Sequence, residues 1–285
     1  MEEEVIREKE NANLEDILKT ERAKSLEMTK MSKFIRRLKD KVVTDHSFKD
    51  NGIKYTGHGI ENAAKIVVYS CITGGYDSIC EPVFEFDNVE YVLFTDKNVE
   101  AKNWKVLPIP KYCNKNDNIL TNRYMKMHPN EIFEKCDYDF AIYVDGNLKV
   151  IGDPRPLVYD TGRVGIAMHR HALREDIWKE MLACIAQRKG NPRKIMQQVV
   201  GYKKRGLPKK FGMLECNMIV VDLKNKLAKE ILDEWWDEFL KSKSMRDQIS
   251  LPYVIWKKGY SIEDFGNLGY NIYRNPKIRK VEHRI

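Results

Sequence analysis

The 285-residue sequence contains no apolar run near the roughly 20 residues that a membrane-spanning helix needs. No secretory signal opens it, so the expectation is a cytoplasmic protein, peripheral at most to the inner face of a membrane. Its six cysteines, Cys71, Cys80, Cys113, Cys136, Cys184 and Cys216, are scattered. None forms the close pair of a zinc or redox motif, and reduced thiols are expected. The six histidines are spread out as well, which argues against the metal constellation of a lipid amidase. Also missing are the GxGxxG fingerprint, the Gly-Lys-Ser/Thr of a P-loop and the glycine-rich basic loop of a nucleotidyltransferase. A net charge of +8 favours an anionic partner. Basic and aromatic residues form no stacking motif, however, and no nucleic acid is expected.

Residues 1–43 lack both glycine and proline and are dense in charge. Leu14, Ile17, Leu18, Leu26, Met31, Phe34, Ile35 and Leu38 recur at roughly helical spacing. Lys30, Lys33, Arg36, Arg37, Lys39 and Lys41 surround the last of them. This pattern predicts an amphipathic helical extension, suited to packing and self-association or to an anionic membrane surface. Residues 44–64, with Gly52, Gly57 and Gly59, read as a linker. The main domain is expected over residues 65–285.

From Lys65 onward strands and helices alternate, which predicts an α/β domain with a mostly parallel sheet covered on both faces. Ile66 to Ile72 is a continuous strand-like run ending in Thr73-Gly74-Gly75-Tyr76-Asp77. Val89 to Phe94 is a second strand, followed by Thr95-Asp96, and Trp104 to Ile109 a third. Asn118 to Met127 reads as a helix with Arg123 and Lys126 on one face. Phe140 to Val144 is an apolar strand that stops at Asp145-Gly146-Asn147. Val164 to Met168 is expected to be a strand ending before His169, and Asn217 to Leu223 a strand preceded by Glu215. Helices are predicted over Glu175 to Lys189, from Asn191-Pro192, over Leu227 to Leu240 and from about Met245 to Trp256. The tail from Gly259 shows little pattern. Ligands of such sheets bind beyond the carboxyl ends of the strands, where Asp77, Asp96, Asp145, Asn147 and His169 fall. The turn between Asp145 and Asn147 can aim two oxygens at one point, a donor pair suited to a hard cation such as Mg²⁺ or Mn²⁺.

Five of these stretches occur in the order of one family: Tyr69 to Asp77, Phe94-Thr-Asp96, Arg123-Tyr-Met-Lys126, Tyr143-Val-Asp-Gly-Asn147 and Arg246-Asp-Gln248. From about Lys65 to Gly259 the sequence resembles the glycosyltransferase-like domain of the plant turgor-regulation-defect and mucilage-related proteins, which also has bacterial members. That family is similar to GT-A glycosyltransferases. The resemblance implies a GT-A-like Rossmann-type sheet that moves a sugar from a nucleotide-sugar, expected to be UDP-linked, to a glycan or glycolipid, as in surface polysaccharide synthesis. It also implies Asp145 and Asn147 as the metal pair for Mn²⁺ or Mg²⁺. Asn147 stands where the class has a second Asp, so the pair carries one negative charge fewer. A non-catalytic nucleotide-sugar-binding relative and a ceramide-type hydrolase are the alternatives within the same family.

Sugar transfer requires a nucleotide pocket, charge for the leaving diphosphate and a base for the acceptor hydroxyl. Thr73, Gly74, Gly75, Tyr76, Asp77 and Asp96 are the candidates for the first, with Gln248 beside them, and Arg123 and Lys126 for the second. For catalysis the candidates are Asp247 and Glu215, with Glu175 behind them, as bases. His169 is expected to touch the donor sugar or complete the coordination, and Arg170 and Arg174 to hold acidic groups of the substrates.

Overall fold

The computed structural model describes residues 64–269 and 272–281. The expected helical extension of residues 1–43 and all but the last residue of the 44–64 linker lie outside them. Strand β1 (Ile66–Ile72) is buried along its whole length. Its residues alternate between two cores: Val67, Tyr69 and Cys71 enter one, and Ile66, Val68 and Ile72 the other. A strand covered on both faces therefore reads as a continuous apolar run rather than an alternating one.

The remaining strands of the main sheet are β2 (Val89–Thr95), β3 (Lys105–Pro108), β4 (Phe140–Val144), β6 (Ile166–Arg170) and β7 (Leu214–Asp222). Their order is β3-β2-β1-β4-β7-β6. Pairings from β3 to β4 are parallel, whereas β7 runs antiparallel to both β4 and β6. One reversed strand among six leaves the sheet mostly parallel. The amino end of β7 thus arrives at the edge where β1, β2, β4 and β6 have their carboxyl ends. A second, two-stranded sheet pairs β5 (Leu148–Val150) with β8 (Ile278–Lys280).

Helices α1 (Asn118–Met127) and α2 (Pro129–Ile132) follow β3. Asp117 starts α1 by accepting from the Leu120 N–H at 2.8 Å. A 3₁₀ segment, Arg155–Thr161, precedes β6, and α3 (Ile177–Ala186) and α4 (Pro192–Lys204) precede β7. Asn191 caps α4 with Pro192 at its first position, as the sequence predicts. Helix α5 (Lys226–Ser242) and helix α6 (Asp247–Lys257) follow β7. Trp235 of α5 is fully buried, and its indole N–H lies 3.1 Å from the Asp247 carbonyl, which fixes the start of α6.

Two strand boundaries differ from expectation in ways that matter for the site. Strand β6 continues through His169, and β7 begins at Leu214. His169 and Glu215 are consequently strand residues, paired with each other in register, not residues of the loops beyond. The helix expected from Glu175 starts at Ile177, because Asp176 caps it and accepts from the Trp178 N–H. The described part of the tail carries structure as well. β8 hydrogen-bonds to β5, an edge that a three-residue strand with one apolar side chain does not announce in sequence.

Candidate active site

The loop after β1 is shaped by its glycines. Gly74 and Gly75 have φ of 64° and 68°, a left-handed conformation that side-chain-bearing residues rarely adopt. A Cβ on Gly74 would also lie 2.5 Å from the Asn118 side-chain nitrogen. Thr73 ties the loop to α1 by donating to the Asn118 carbonyl at 3.0 Å. Asp96, exposed at the end of β2, accepts from the Gly74 N–H through both oxygens at 3.0 and 3.1 Å. Tyr76 is largely exposed. Asp77 folds back over the turn after β4, where a Cβ on Gly146 would sit 2.9 Å from its Oδ2. Glycine at 146 is what lets that carboxylate approach. The structure therefore brings Thr73 to Asp77, Asp96, Asp145 and Asn147 to one edge.

Behind that turn lies a buried ionic network. Lys126 is 1% exposed, and its ammonium has three acceptors: the Cys216 carbonyl at 2.7 Å, Asp247 at 3.1 Å and Asp145 at 3.2 Å. Two of these contacts are hydrogen bonds and the third an ion pair, so the buried Lys126 acts as an internal counter-ion to Asp247 and Asp145. Arg123 Nε lies 2.9 Å from the same Asp247 oxygen, while its side chain as a whole keeps some exposure. Burial alone would raise the Asp247 carboxyl, but Arg123 and Lys126 beside it hold it well below the usual carboxylate range. Asp247 is thus a fixed anion, a poor acceptor for a proton.

Asp145 and Asn147 share a turn, as their spacing predicts, yet each already has protein partners. Asp145 Oδ1 accepts from the Tyr143 hydroxyl at 2.9 Å, beside Lys126. The Asn147 side chain is buried and donates to the Val281 carbonyl at 3.3 Å. Among the described residues no three His, Cys, Asp or Glu side chains gather as metal ligands. The donor set therefore suits a cation that arrives with further oxygens from a ligand, and does not make a complete resident site.

Across β4, on β6 and β7, the polar groups are more deeply buried. His169 is 0% exposed, and its Nε2 lies 2.9 Å from the side-chain nitrogen of Asn275, just before β8. Burial pushes the His169 imidazole down to about 4. Glu215, also buried, has its carboxyl raised by that burial, against the nearby charges of Lys280 and Arg174. His171 lies 3.8 Å from both Glu215 and Glu180. Arg174 pairs with Glu180, so it is committed within the protein, and Arg170 is exposed 3.5 Å from Glu263. Glu175 is exposed.

Four buried side-chain atoms on these elements have no hydrogen-bond partner among the described residues: His169 Nδ1, Asn217 Oδ1, Arg246 Nε and Gln248 Nε2. Unpaired buried polar atoms are rare in folded proteins, and several at one edge mark where a polar ligand would complete them. Gln248 and His169 were predicted to belong to the site. Asn217, Arg246 as a site group, His171, Glu180 and Asn275 were not, because strand register and the returning tail bring them there.

Over residues 19–283 the sequence matches the family profile described as the TOD1/MUCI70 glycosyltransferase-like domain. A search of curated proteins finds no match. Among solved structures it is similar to the galactosyltransferase LgtC bound to donor and acceptor sugar analogues. That match has 14% identity and a TM-score of 0.40 over 66% of this chain and 70% of that one. Mouse xyloside xylosyltransferase 1 in its apo form aligns at 11% identity and TM-score 0.39, covering 68% of this chain and 82% of its own. The glycosyltransferase GlyE of Streptococcus pneumoniae TIGR4 aligns at 14% and 0.39, covering 70% and 45%. No residue is matched across at these overlaps, and the site rests on this chain's own geometry.

Proposed function

Because the chain belongs to the TOD1/MUCI70 glycosyltransferase-like domain family, we propose that it moves a sugar from a UDP-linked donor to a hydroxyl of a glycan or glycolipid. The observation that carries this reading is the convergence, at one sheet edge, of the Thr73–Asp77 loop, Asp96 and the Asp145-Gly146-Asn147 turn. The glycine loop and Asp96 form the nucleoside end, where Asp96 can accept from hydroxyl or imide groups. Arg123, whose side chain is not fully buried, is the cation offered to the diphosphate.

In the reaction the acceptor oxygen bonds to the anomeric carbon, the carbon–oxygen bond to the diphosphate breaks, and the acceptor proton passes to a carboxylate. Glu215 suits that last role better than Asp247. Its carboxyl is raised by burial, which favours taking up a proton, whereas Asp247 is held ionised by two cations. Asp247 instead positions Arg123 and Lys126. A divalent ion, Mn²⁺ or Mg²⁺, would be held between Asp145, Asn147 and the ligand's phosphates, and would add charge neutralisation at the leaving group.

Among the described residues no helix is long and apolar enough to cross a membrane. Contact with a membrane surface, or self-association, is proposed for residues 1–43 on their sequence pattern alone. Thermal-shift measurements with a panel of nucleotide-sugars, with and without Mn²⁺, test the reading. Stabilisation by UDP-sugars is expected. Stabilisation only by ceramide or by an oligonucleotide would replace it with a hydrolase or a nucleic-acid binder.

A further inference from the structure

Two histidines stand two residues apart at the end of β6, and their surroundings impose opposite protonation. Asn275 Oδ1 accepts from the Lys277 N–H at 2.9 Å. That bond sets the orientation of the amide, so its NH₂ group is the part that faces His169 Nε2 at 2.9 Å. A ring nitrogen facing a donor must present its lone pair, which leaves the proton of the neutral ring on Nδ1. His171 is the reverse case. Its Nδ1 accepts from the Leu173 and Arg174 N–H groups at 3.0 and 3.1 Å, so its proton sits on Nε2, toward Glu180.

His171 thus has protein neighbours on both sides of its ring. His169 does not, since its Nδ1 is buried without a hydrogen-bond partner among the described residues. A β-bulge between Met168 and His169 separates the ring from the regular pairing of β6 with β7 and sets it opposite Glu215. Its Nε2 is occupied and its Nδ1 carries the proton, so the neutral ring has no free lone pair with which to act as a base or a metal ligand. What it has is one N–H.

We infer that Asn275 is a positioning residue that holds His169 as an Nδ1-protonated imidazole, whose N–H donates to an oxygen of the bound nucleotide-sugar. The acceptor oxygen is either a phosphate oxygen or a sugar hydroxyl, both of which take one N–H donor. This rests on the reading of the site as a nucleotide-sugar site. It adds that the tail before β8, remote in sequence from the motifs around β1 to β4, sets the donor character of a buried side chain whose one free N–H the bound donor would complete.

Long-range ¹H–¹⁵N spectra of the full chain, with His169→Asn for assignment, read the tautomers directly. His169 is expected to be protonated on Nδ1 and His171 on Nε2, which makes His171 an internal control. Protonation of His169 on Nε2 overturns the inference without any ligand. A shift of the His169 Nδ1 signal with UDP assigns a phosphate oxygen; a shift only with UDP-sugars assigns a sugar hydroxyl. Binding detected by thermal shift with no movement of that signal overturns the donor role and leaves the glycosyltransferase reading intact. No binding of any nucleotide-sugar defeats that reading and the donor role together. In turnover, His169→Asn places an amide nitrogen at the Nδ1 position and should keep most of the rate. His169→Gln, which places it at the Nε2 position, should lose about tenfold, the worth of one hydrogen bond. Equal losses for the two variants would overturn the assignment. Asn275→Asp turns the group facing Nε2 from donor to acceptor, and a new Nε2–H signal is expected; an unchanged spectrum removes Asn275 from its role.

Discussion

The carboxylates on the two sides of β4 are handled differently. On the β1–β2 side, Asp77 and Asp96 follow strands, sit in turns and bond mainly to backbone or pack against glycine. On the β7 side, Glu215 and Asp247 are both buried, yet they differ from each other. Asp247 lies within 3.1 Å of two cations, while Glu215 has the neutral His171 at 3.8 Å and only the longer-range charges of Lys280 and Arg174. Asp247 is the more deeply buried of the two, yet it is the one held ionised, so partners decide the direction of the shift. Of two buried acids at one sheet edge, the paired one is held ionised and the poorly paired one has its carboxyl raised, which is the contrast the proposed function rests on.

Exchange of each acid for its amide breaks or sharpens this contrast. Asp247→Asn removes the carboxylate that Arg123 Nε meets and leaves Lys126 with Asp145 alone, and loss of one partner of a buried ionic group costs about 3–5 kcal/mol. Denaturant melts should show it as a large drop in midpoint. The folded Asp247 carboxyl lies below its unfolded value, so this contribution is present above the ordinary carboxylate range. It fades only as pH falls through the lower folded value. A melt unchanged by Asp247→Asn would dissolve the distinction between the two acids.

Glu215→Gln should act on rate. Loss of a general base lowers turnover by roughly 10²–10⁴-fold, with the fold retained. Here the folded carboxyl is raised, so its contribution to stability is full in acid and is lost as pH climbs from the unfolded value through the raised one. The Gln variant should therefore be more stable than the natural protein at neutral pH and lose that advantage in acid. A variant that melts earlier at neutral pH would count against the raised carboxyl.

Gly146→Ala probes the β1–β2 side. Its Cβ would meet Asp77 Oδ2 at 2.9 Å and Ile72 Cγ1 at 3.0 Å, an overpacking worth about 1–3 kcal/mol. UDP affinity should fall along with stability, because Asp77 must leave the turn; unchanged UDP affinity would separate Asp77 from the site. The smallest expected effect belongs to Asn147→Asp. Lys126 beside Asp145 should keep any Mn²⁺ binding weak in the free protein, and the added carboxylate should tighten it in isothermal titration. No heat with either protein, with or without UDP, together with activity that survives chelator, would reject the cation.

Legibility in the sequence followed the same division. Phe140–Val144 and Asn118–Met127 are bounded as expected, because an apolar run cut by Asp-Gly and a helix capped by Asp117 are local signals. The turn acids were therefore visible. Glu215 and His169 were recognised as residues but placed in loops, since strand ends are set by pairing with β6 and β7, which no local window contains. The phosphate role expected of Lys126 rested on its helix face. That the face points inward, onto Cys216, Asp145 and Asp247, depends on elements about 90 and 121 residues away. Asn275 lies in the tail from Gly259, whose sequence shows little pattern to reveal it.

The β5–β8 pairing also has a kinetic side. Val281 bonds to Asn147 across 134 residues, and Asn275 reaches His169 across 106. Contacts so distant in sequence form late, after nearer ones have reduced the loop to be closed. Strand β5 has nothing to hold it in place until β4 and its turn exist. A refolding chain should thus recover most of its helical and sheet signal first. Its grip on nucleotide should return in a slower step, when the tail docks.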